Sequence, residues 1–229
     1  MKTIGIIGGV GWSSTVYYYQ LINEKANKQS GDLSSPNILI NSLNFEPLKK
    51  LQLSEEWGKT VPVLVNAARS LEDAGADFVL IASATTNIPY KKIRRAIKVP
   101  LLDIIEPTAK AINAAGIKKV GLLGTKPTME HSFFRSRLND FGISAIVPSD
   151  SDRQSVHEII YDELCKDLIM ANSKMKYLKI IKRLVDKGAQ GIILGCTEIP
   201  LLIRSNDVDV PVFDIAKLHA LAALNIALT

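Results

Sequence analysis

The chain has 229 residues, of which 47% are hydrophobic, and it carries a formal net charge of +5 and two cysteines. This length and apolar fraction can bury one large core or two small ones, so the sequence predicts a soluble globular protein. Apolar runs of about 18 residues are absent and the start, MKTIGIIGGVGWSS, is broken by glycines without a cleavage pattern. We therefore expect no membrane span, no signal peptide and a cytoplasmic location.

The positive charge does not predict a nucleic-acid partner. Lysines and arginines are dispersed among acids, and the densest group, KKIRR at 91–95, lies in a predicted helix without interleaved aromatics. Such a run is typical of a solvated helix face. Cys165 and Cys196 are expected to be reduced thiols, and neither belongs to a CxxC pair or lies near a histidine at ligand spacing, so we expect no metal site.

Short β-branched runs alternate with longer amphipathic stretches along the whole chain. Strands are predicted, in chain order, at 3–8, 37–43, 77–82, 100–104, 119–124, 143–147, 191–195 and 211–215. Helices are predicted at 14–28, 55–74, 106–115, 128–140, 153–169, 174–187 and 214–227. Continuous apolar strands that alternate with helices indicate an α/β fold with parallel sheets covered on both faces.

The sequence also contains an internal repeat, which predicts two related α/β domains. The paired segments are IGIIGG (4–9) with VGLLGT (120–125), the segments beginning at Asp73 and Asp186, and VPLLDI (99–104) with VPVFDI (210–215). We expect a first domain of residues 1–103 plus 206–229 and a second of residues 104–205. The two are expected to be related by a pseudo-twofold axis, with a substrate cleft between them.

The repeat aligns two triplets, each of which follows a predicted strand. Ser83, Ala84 and Thr85 correspond to Cys196, Thr197 and Glu198. Ligands of parallel sheets collect beyond the carboxyl ends of the strands, so we expect Ser83 and Cys196 to face one cleft from opposite sides. A helix N-terminus after Cys196 is expected to lower its thiol pKa, and Glu198 would favour the helix start or bind an amine.

Four stretches of the chain carry a family resemblance: GGVGWSST, QLSEEW, LLGTKPTME and GCTEIP. With them the chain resembles the aspartate/glutamate racemase superfamily, and is similar in particular to its broad-specificity amino-acid racemase branch. The resemblance implies racemisation of aspartate or glutamate without pyridoxal phosphate or any other cofactor, and a homodimer. It implies Ser83 and Cys196 as catalytic residues and a pocket lined by Val10, Gln52, Ala84, Thr85, Thr197 and Glu198.

Three functions remain open from the sequence, because Ser83 and Ala84 stand where the family commonly has cysteine and asparagine. The first is a racemase with a serine on one face and a cysteine on the other. The second is a single-cysteine decarboxylase of the same superfamily, and the third is a protein that binds a dicarboxylate or an amino acid with impaired catalysis. Thr125, the repeat counterpart of Gly9, is expected to bind a carboxylate or to cap the helix that contains Met129.

Overall fold

The computed structural model describes residues 1–30 and 33–229 of the chain. These residues form two compact units, one of Met1–Ile104 with His219–Thr229 and the other of Ile105–Leu218. In the described ranges no helix combines the length and the apolar character needed to cross a membrane.

The first unit contains a parallel three-stranded sheet in the order β2-β1-β3. All residues of β1 and β3 are buried, as expected for strands covered on both faces. Its elements are β1 (Ile4–Gly8), α1 (Trp12–Ser30), β2 (Ile38–Ser42), α2 (Phe45–Leu53), α3 (Trp57–Asp73), β3 (Phe78–Ile81), a 3₁₀ turn (Thr85–Asn87) and α4 (Tyr90–Ala96).

The second unit contains a parallel four-stranded sheet in the order β5-β4-β6-β7. Its elements are α5 (Ile105–Ala114), β4 (Lys119–Leu123), α6 (Lys126–Glu130), α7 (Ser132–Asn139), β5 (Ser144–Ile146), α8 (Asp150–Glu158), a π-helical turn (Ile159–Glu163), a 3₁₀ turn (Leu164–Lys166), α9 (Ala171–Asp186), β6 (Ile192–Leu194), α10 (Ile199–Leu202), a 3₁₀ turn (Ser205–Asp207) and β7 (Val212–Asp214). The last helix, α11 (Ile215–Leu228), begins in this unit, and its residues from His219 onward belong to the first.

The predicted α/β class with parallel sheets is confirmed, but several local features differ from the sequence expectation. The helices expected at 128–140 and 153–169 are each divided into shorter segments. The segment 206–218 belongs to the second unit rather than the first, because β7 pairs with β6. The strand expected at 100–104 forms only one bridge, Val79 with Leu101, because the chain enters α5 at Ile105. Helix α2 was not expected; Asn44 caps it by accepting a hydrogen bond from the Glu46 amide.

His219 is a structural residue of the first unit and is fully buried. Its Nδ1 lies 2.9 Å from the Tyr18 hydroxyl, and its Nε2 lies 3.3 Å from the carbonyl oxygen of Leu102. A carbonyl can only accept, so Nε2 carries the proton and Tyr18 donates to Nδ1. Burial lowers the pKa of His219 to about 3, so the imidazole stays neutral in the folded chain.

This depressed pKa predicts a loss of stability in acid. In the unfolded chain His219 regains an ordinary pKa of about 6.5, so between about pH 3 and pH 6.5 the unfolded state binds one proton more than the folded state. The contribution is therefore complete above about pH 6.5 and is lost as the pH falls toward 3, at about 1.4 kcal/mol per pH unit. The free energy of unfolding can be measured with urea at several pH values. In His219→Leu its slope against pH should be smaller by the amount that corresponds to one bound proton. Equal slopes in the two proteins would contradict the assignment.

Candidate active site

Ser83 lies at the carboxyl end of β3, in a turn fixed by backbone and side-chain hydrogen bonds. The Ser83 amide donates to the Ile81 carbonyl at 2.8 Å. The Asn87 side-chain amide, which is fully buried, donates to the carbonyl oxygens of both Ile81 (3.2 Å) and Ser83 (2.6 Å). These bonds hold the half-buried Ser83 at the edge of the sheet where ligands of parallel α/β folds bind.

The Ser83 hydroxyl oxygen receives hydrogen bonds from Thr86. The Thr86 hydroxyl donates to Ser83 Oγ at 3.0 Å, and the Thr86 amide donates to the same oxygen at 3.4 Å. Gln52 in turn donates from Nε2 to Thr86 Oγ1 at 3.2 Å. A side chain of α2 is thereby connected to the serine at the end of β3.

The other expected site residues of the first unit have different surroundings. Ala84 and Thr85 flank Ser83 and are buried, whereas Val10 packs into the apolar cluster of this unit. Gln52 was expected to reach a substrate, but it is only 4% exposed and its amide contacts Thr86. Thr86 was not expected as a site residue, because its repeat counterpart, Ile199, has no polar side chain.

Cys196 lies at the carboxyl end of β6, directly after a close approach between two strands. The Gly195 amide donates to the Leu123 carbonyl at 2.6 Å. A Cβ at position 195 would lie 2.7 Å from that carbonyl oxygen, so any larger residue would push the chain away from β4. Gly195 therefore fixes the backbone from which the Cys196 side chain extends.

One carboxylate oxygen of Glu198 accepts hydrogen bonds from the side chains of both Cys196 and Thr197. Cys196 Sγ donates to Glu198 Oε2 at 2.9 Å, and Thr197 Oγ1 donates to the same atom at 2.7 Å. Glu198 is only 8% exposed. The structure thus brings together the three site residues expected in the second unit, with Glu198 as the common acceptor.

The expected lowering of the Cys196 pKa is wrong. Burial raises the pKa of the Cys196 thiol well above its ordinary value, and the Glu198 carboxylate raises it further. The helix that was expected to stabilise a thiolate begins only at Ile199 and has four residues. Cys196 is consequently a protonated thiol at neutral pH, and its proton points at Glu198.

Two tyrosines of the second unit belong to the surroundings of Cys196 and were not expected from the sequence. Burial raises the pKa of Tyr177, ionisation of Cys196 would raise it further, and the Tyr177 hydroxyl donates to the Val156 carbonyl at 3.3 Å. Burial likewise raises the pKa of Tyr161, and ionisation of Cys196 would again raise it further. Their positions in helical segments far from Cys196 in sequence gave no signal for this proximity.

Thr125 and two histidines of the second unit have structural contacts. Thr125 is the N-cap of α6, where its hydroxyl accepts a hydrogen bond from the Thr128 amide. His131 Nδ1 accepts from the Phe133 amide, and His157 Nδ1 accepts from the Lys126 amide. Across residues 1–30 and 33–229, no group of three or more histidine, cysteine and acidic residues is arranged to hold a metal ion.

Solved structures of racemase homologues have the same fold over the full length of the chain. A crystal structure of a provisional Asp/Glu racemase from Yersinia pestis is 44% identical, with a TM-score of 0.94 and complete coverage of both chains. That of an aspartate racemase homologue from Pyrococcus horikoshii OT3 is 36% identical, with a TM-score of 0.88 and complete coverage. The chain thus has the fold of the Asp/Glu racemase class.

The family assignment follows from the sequence comparison. The model of the Asp/Glu/Hydantoin racemase family matches residues 7–223, and the chain belongs to this family. Among characterised relatives it is similar to the broad-specificity amino-acid racemase RacX of Bacillus subtilis, with 25% identity over 214 residues and 92% of both sequences covered. The resemblance predicted from the four sequence motifs is confirmed.

Proposed function

We propose that the chain racemises an acidic amino acid, aspartate or glutamate, by direct proton transfer without a cofactor. In this proposal Cys196 and Ser83 act on opposite faces of the substrate α-carbon. The observation that carries it is the equivalent placement of the two residues, each directly beyond the carboxyl end of a buried parallel strand, in a chain of the racemase family. Two groups held against one carbon supply the proximity that such a reaction requires.

The Cys196 half-site supplies the stronger base. Glu198 accepts the thiol hydrogen bond at 2.9 Å, so it is placed to take the thiol proton when substrate binds. The resulting thiolate removes the α-proton from its own face of the substrate. Because burial disfavours the thiolate, it is a stronger base once formed than a thiolate in water.

The Ser83 half-site returns a proton on the other face. Ser83 Oγ already accepts two hydrogen bonds from Thr86, so its own hydroxyl proton is available to the substrate carbanion. Ala84, Thr85 and Thr197 lie next to the two catalytic groups, and we propose that they line the pocket together with Val10 and Glu198, while Gln52 supports the Ser83 side of the pocket through Thr86.

The proposal is tested by incubating the purified chain with single enantiomers of aspartate and glutamate and measuring both enantiomers by chiral chromatography. We expect each enantiomer of the accepted amino acid to convert to a 1:1 mixture. The two specificity constants must be equal, because enantiomers have the same free energy. Hydroxylamine, which captures carbonyl cofactors, should leave the rate unchanged. Binding of aspartate or glutamate without conversion would overturn the proposal in favour of an impaired binding protein.

The decarboxylase function keeps one specific observation in its favour, namely that only one of the two aligned site positions carries a thiol. Such an enzyme needs to protonate only one face of an enolate. Release of carbon dioxide from an α-substituted malonate, without racemisation of any amino acid, would identify this activity instead.

A further inference from the structure

We propose that Thr86, held by Gln52, is a positioning residue that makes Ser83 a proton donor toward substrate. This inference rests on the proposed racemase function and concerns the weaker of its two half-sites. It starts from the direction of three hydrogen bonds within the first unit: Gln52 to Thr86, and Thr86 twice to Ser83.

The direction of these bonds is set by Gln52. A hydroxyl has one proton and can donate only once, whereas it accepts through its lone pairs. Thr86 Oγ1 accepts from the Gln52 amide nitrogen at 3.2 Å, so its single proton goes to Ser83 Oγ at 3.0 Å. Ser83 therefore acts as acceptor for Thr86 and retains its own proton for a third partner.

The hydroxyl and the amide of Thr86 also stabilise the Ser83 alkoxide that forms after proton transfer. When Ser83 gives its proton to the carbanion, the electron pair on the α-carbon forms the new C–H bond and the negative charge stays on Ser83 Oγ. The hydroxyl and amide of Thr86 then donate to an alkoxide, and hydrogen bonds to a charged oxygen are about twice as strong as neutral ones. In the reverse direction the alkoxide removes the α-proton and the charge returns to the substrate. Between turnovers, exchange with water takes the proton from Glu198 and returns one to the Ser83 alkoxide, which restores the resting site.

Burial shields the hydrogen bonds from Gln52 to Thr86 and from Thr86 to Ser83 against competition from water. Thr86 is 1% exposed and Gln52 is 4% exposed, whereas Ser83 itself is only half-buried. Water therefore has little access to compete for the Thr86 hydroxyl, while Ser83 keeps part of its surface exposed. The Asn87 amide holds the carbonyl groups of the same turn, which keeps the Thr86 donors directed at Ser83.

Thr86→Val is the direct test, because it keeps the shape of the side chain and removes only the hydroxyl. Loss of a hydrogen bond to a charged group lowers kcat about 10- to 100-fold, with KM within about twofold. Thr86→Ser retains the hydroxyl and should recover most of the rate. Gln52→Met should lower kcat by a few fold with KM unchanged; a large rise in KM would show that Gln52 binds substrate instead.

A second measurement separates proton donation from structural damage. In heavy water, each enantiomer of aspartate and glutamate is followed for α-hydrogen exchange and for inversion. With Thr86→Val, inversion should fall in both directions, but exchange should fall only for the enantiomer whose α-hydrogen faces Ser83. The other enantiomer, deprotonated by Cys196, should continue to exchange at a rate within about threefold of the wild-type rate, because the thiol half-site is unchanged.

The matched control is Thr60→Val, which removes another buried hydroxyl of the first unit, one that donates only to the Trp57 carbonyl. It should leave exchange and inversion unchanged. Equal loss of exchange from both enantiomers with Thr86→Val, or no loss at all, would overturn the role of Thr86. Absence of exchange and inversion in the wild-type chain would instead refute the proposed racemase function.

Discussion

Replacing Cys196 by alanine is expected to lower kcat for racemisation by about a thousandfold or more, because a positioned general base commonly contributes 10²- to 10⁴-fold. The Cys196 side chain donates to Glu198 and packs against the apolar core of the second unit, and the small change in volume to alanine should let the folded state persist. Circular dichroism and thermal unfolding would establish that the variant folds. Chiral chromatography at saturating substrate would then measure the loss in kcat.

Cys165→Ala is the matched control for this experiment, since Cys165 is the other cysteine of the sequence and is exposed. It should retain activity within about twofold, as surface substitutions usually have small effects. Similar losses in the two variants, or racemisation by Cys196→Ala at the wild-type rate, would show that the Cys196 thiol is not the base.

Replacing Ser83 is expected to have the second largest effect, and the direction depends on the substituent. Ser83→Ala removes the proton donor of one face and should lower kcat by about a hundredfold. Ser83→Cys places a thiol there, which ionises far more readily than a hydroxyl, and should raise kcat by about tenfold over the wild type. Both changes must alter kcat/KM by the same factor in the two directions, because enantiomers have equal free energy.

The paired substitutions can be checked with the assay used for Cys196. Full activity in Ser83→Ala would show that another group, or water, supplies the second face. A loss in Ser83→Cys as large as that in Ser83→Ala would show that the position tolerates only the native hydroxyl. The first result would remove Ser83 from the reaction, and the second would contradict the expected gain from a thiol at this position.

Much of the fold could be predicted from the sequence because buried parallel strands have a distinctive composition. Runs such as those at 4–8 and 78–81 are continuously apolar and every residue in them is buried. The internal repeat then indicated two α/β units and aligned Ser83 with Cys196. Local composition could not determine which strand β7 joins, because that depends on long-range pairing with β6.

The chemistry within the site was less accessible to sequence reasoning. The position of Cys196 before a predicted helix suggested that the helix N-terminus lowers its thiol pKa, but α10 has only four residues. The pKa of Cys196 depends instead on its burial and on the orientation of Glu198. Thr86 could not be recognised, because its role depends on contact with Gln52, which is 34 residues away in sequence. Side-chain hydrogen bonds between distant segments are set by tertiary packing and leave no periodic signal.

The measurement that tests two-sided proton transfer most directly is α-hydrogen exchange in heavy water, for both enantiomers, in Ser83→Ala and Cys196→Ala. We predict complementary losses: each variant stops exchange of the enantiomer whose α-hydrogen faces the missing group and retains measurable exchange of the other, while neither inverts the substrate at an appreciable rate. Loss of exchange from the same enantiomer in both variants would contradict proton transfer on opposite faces.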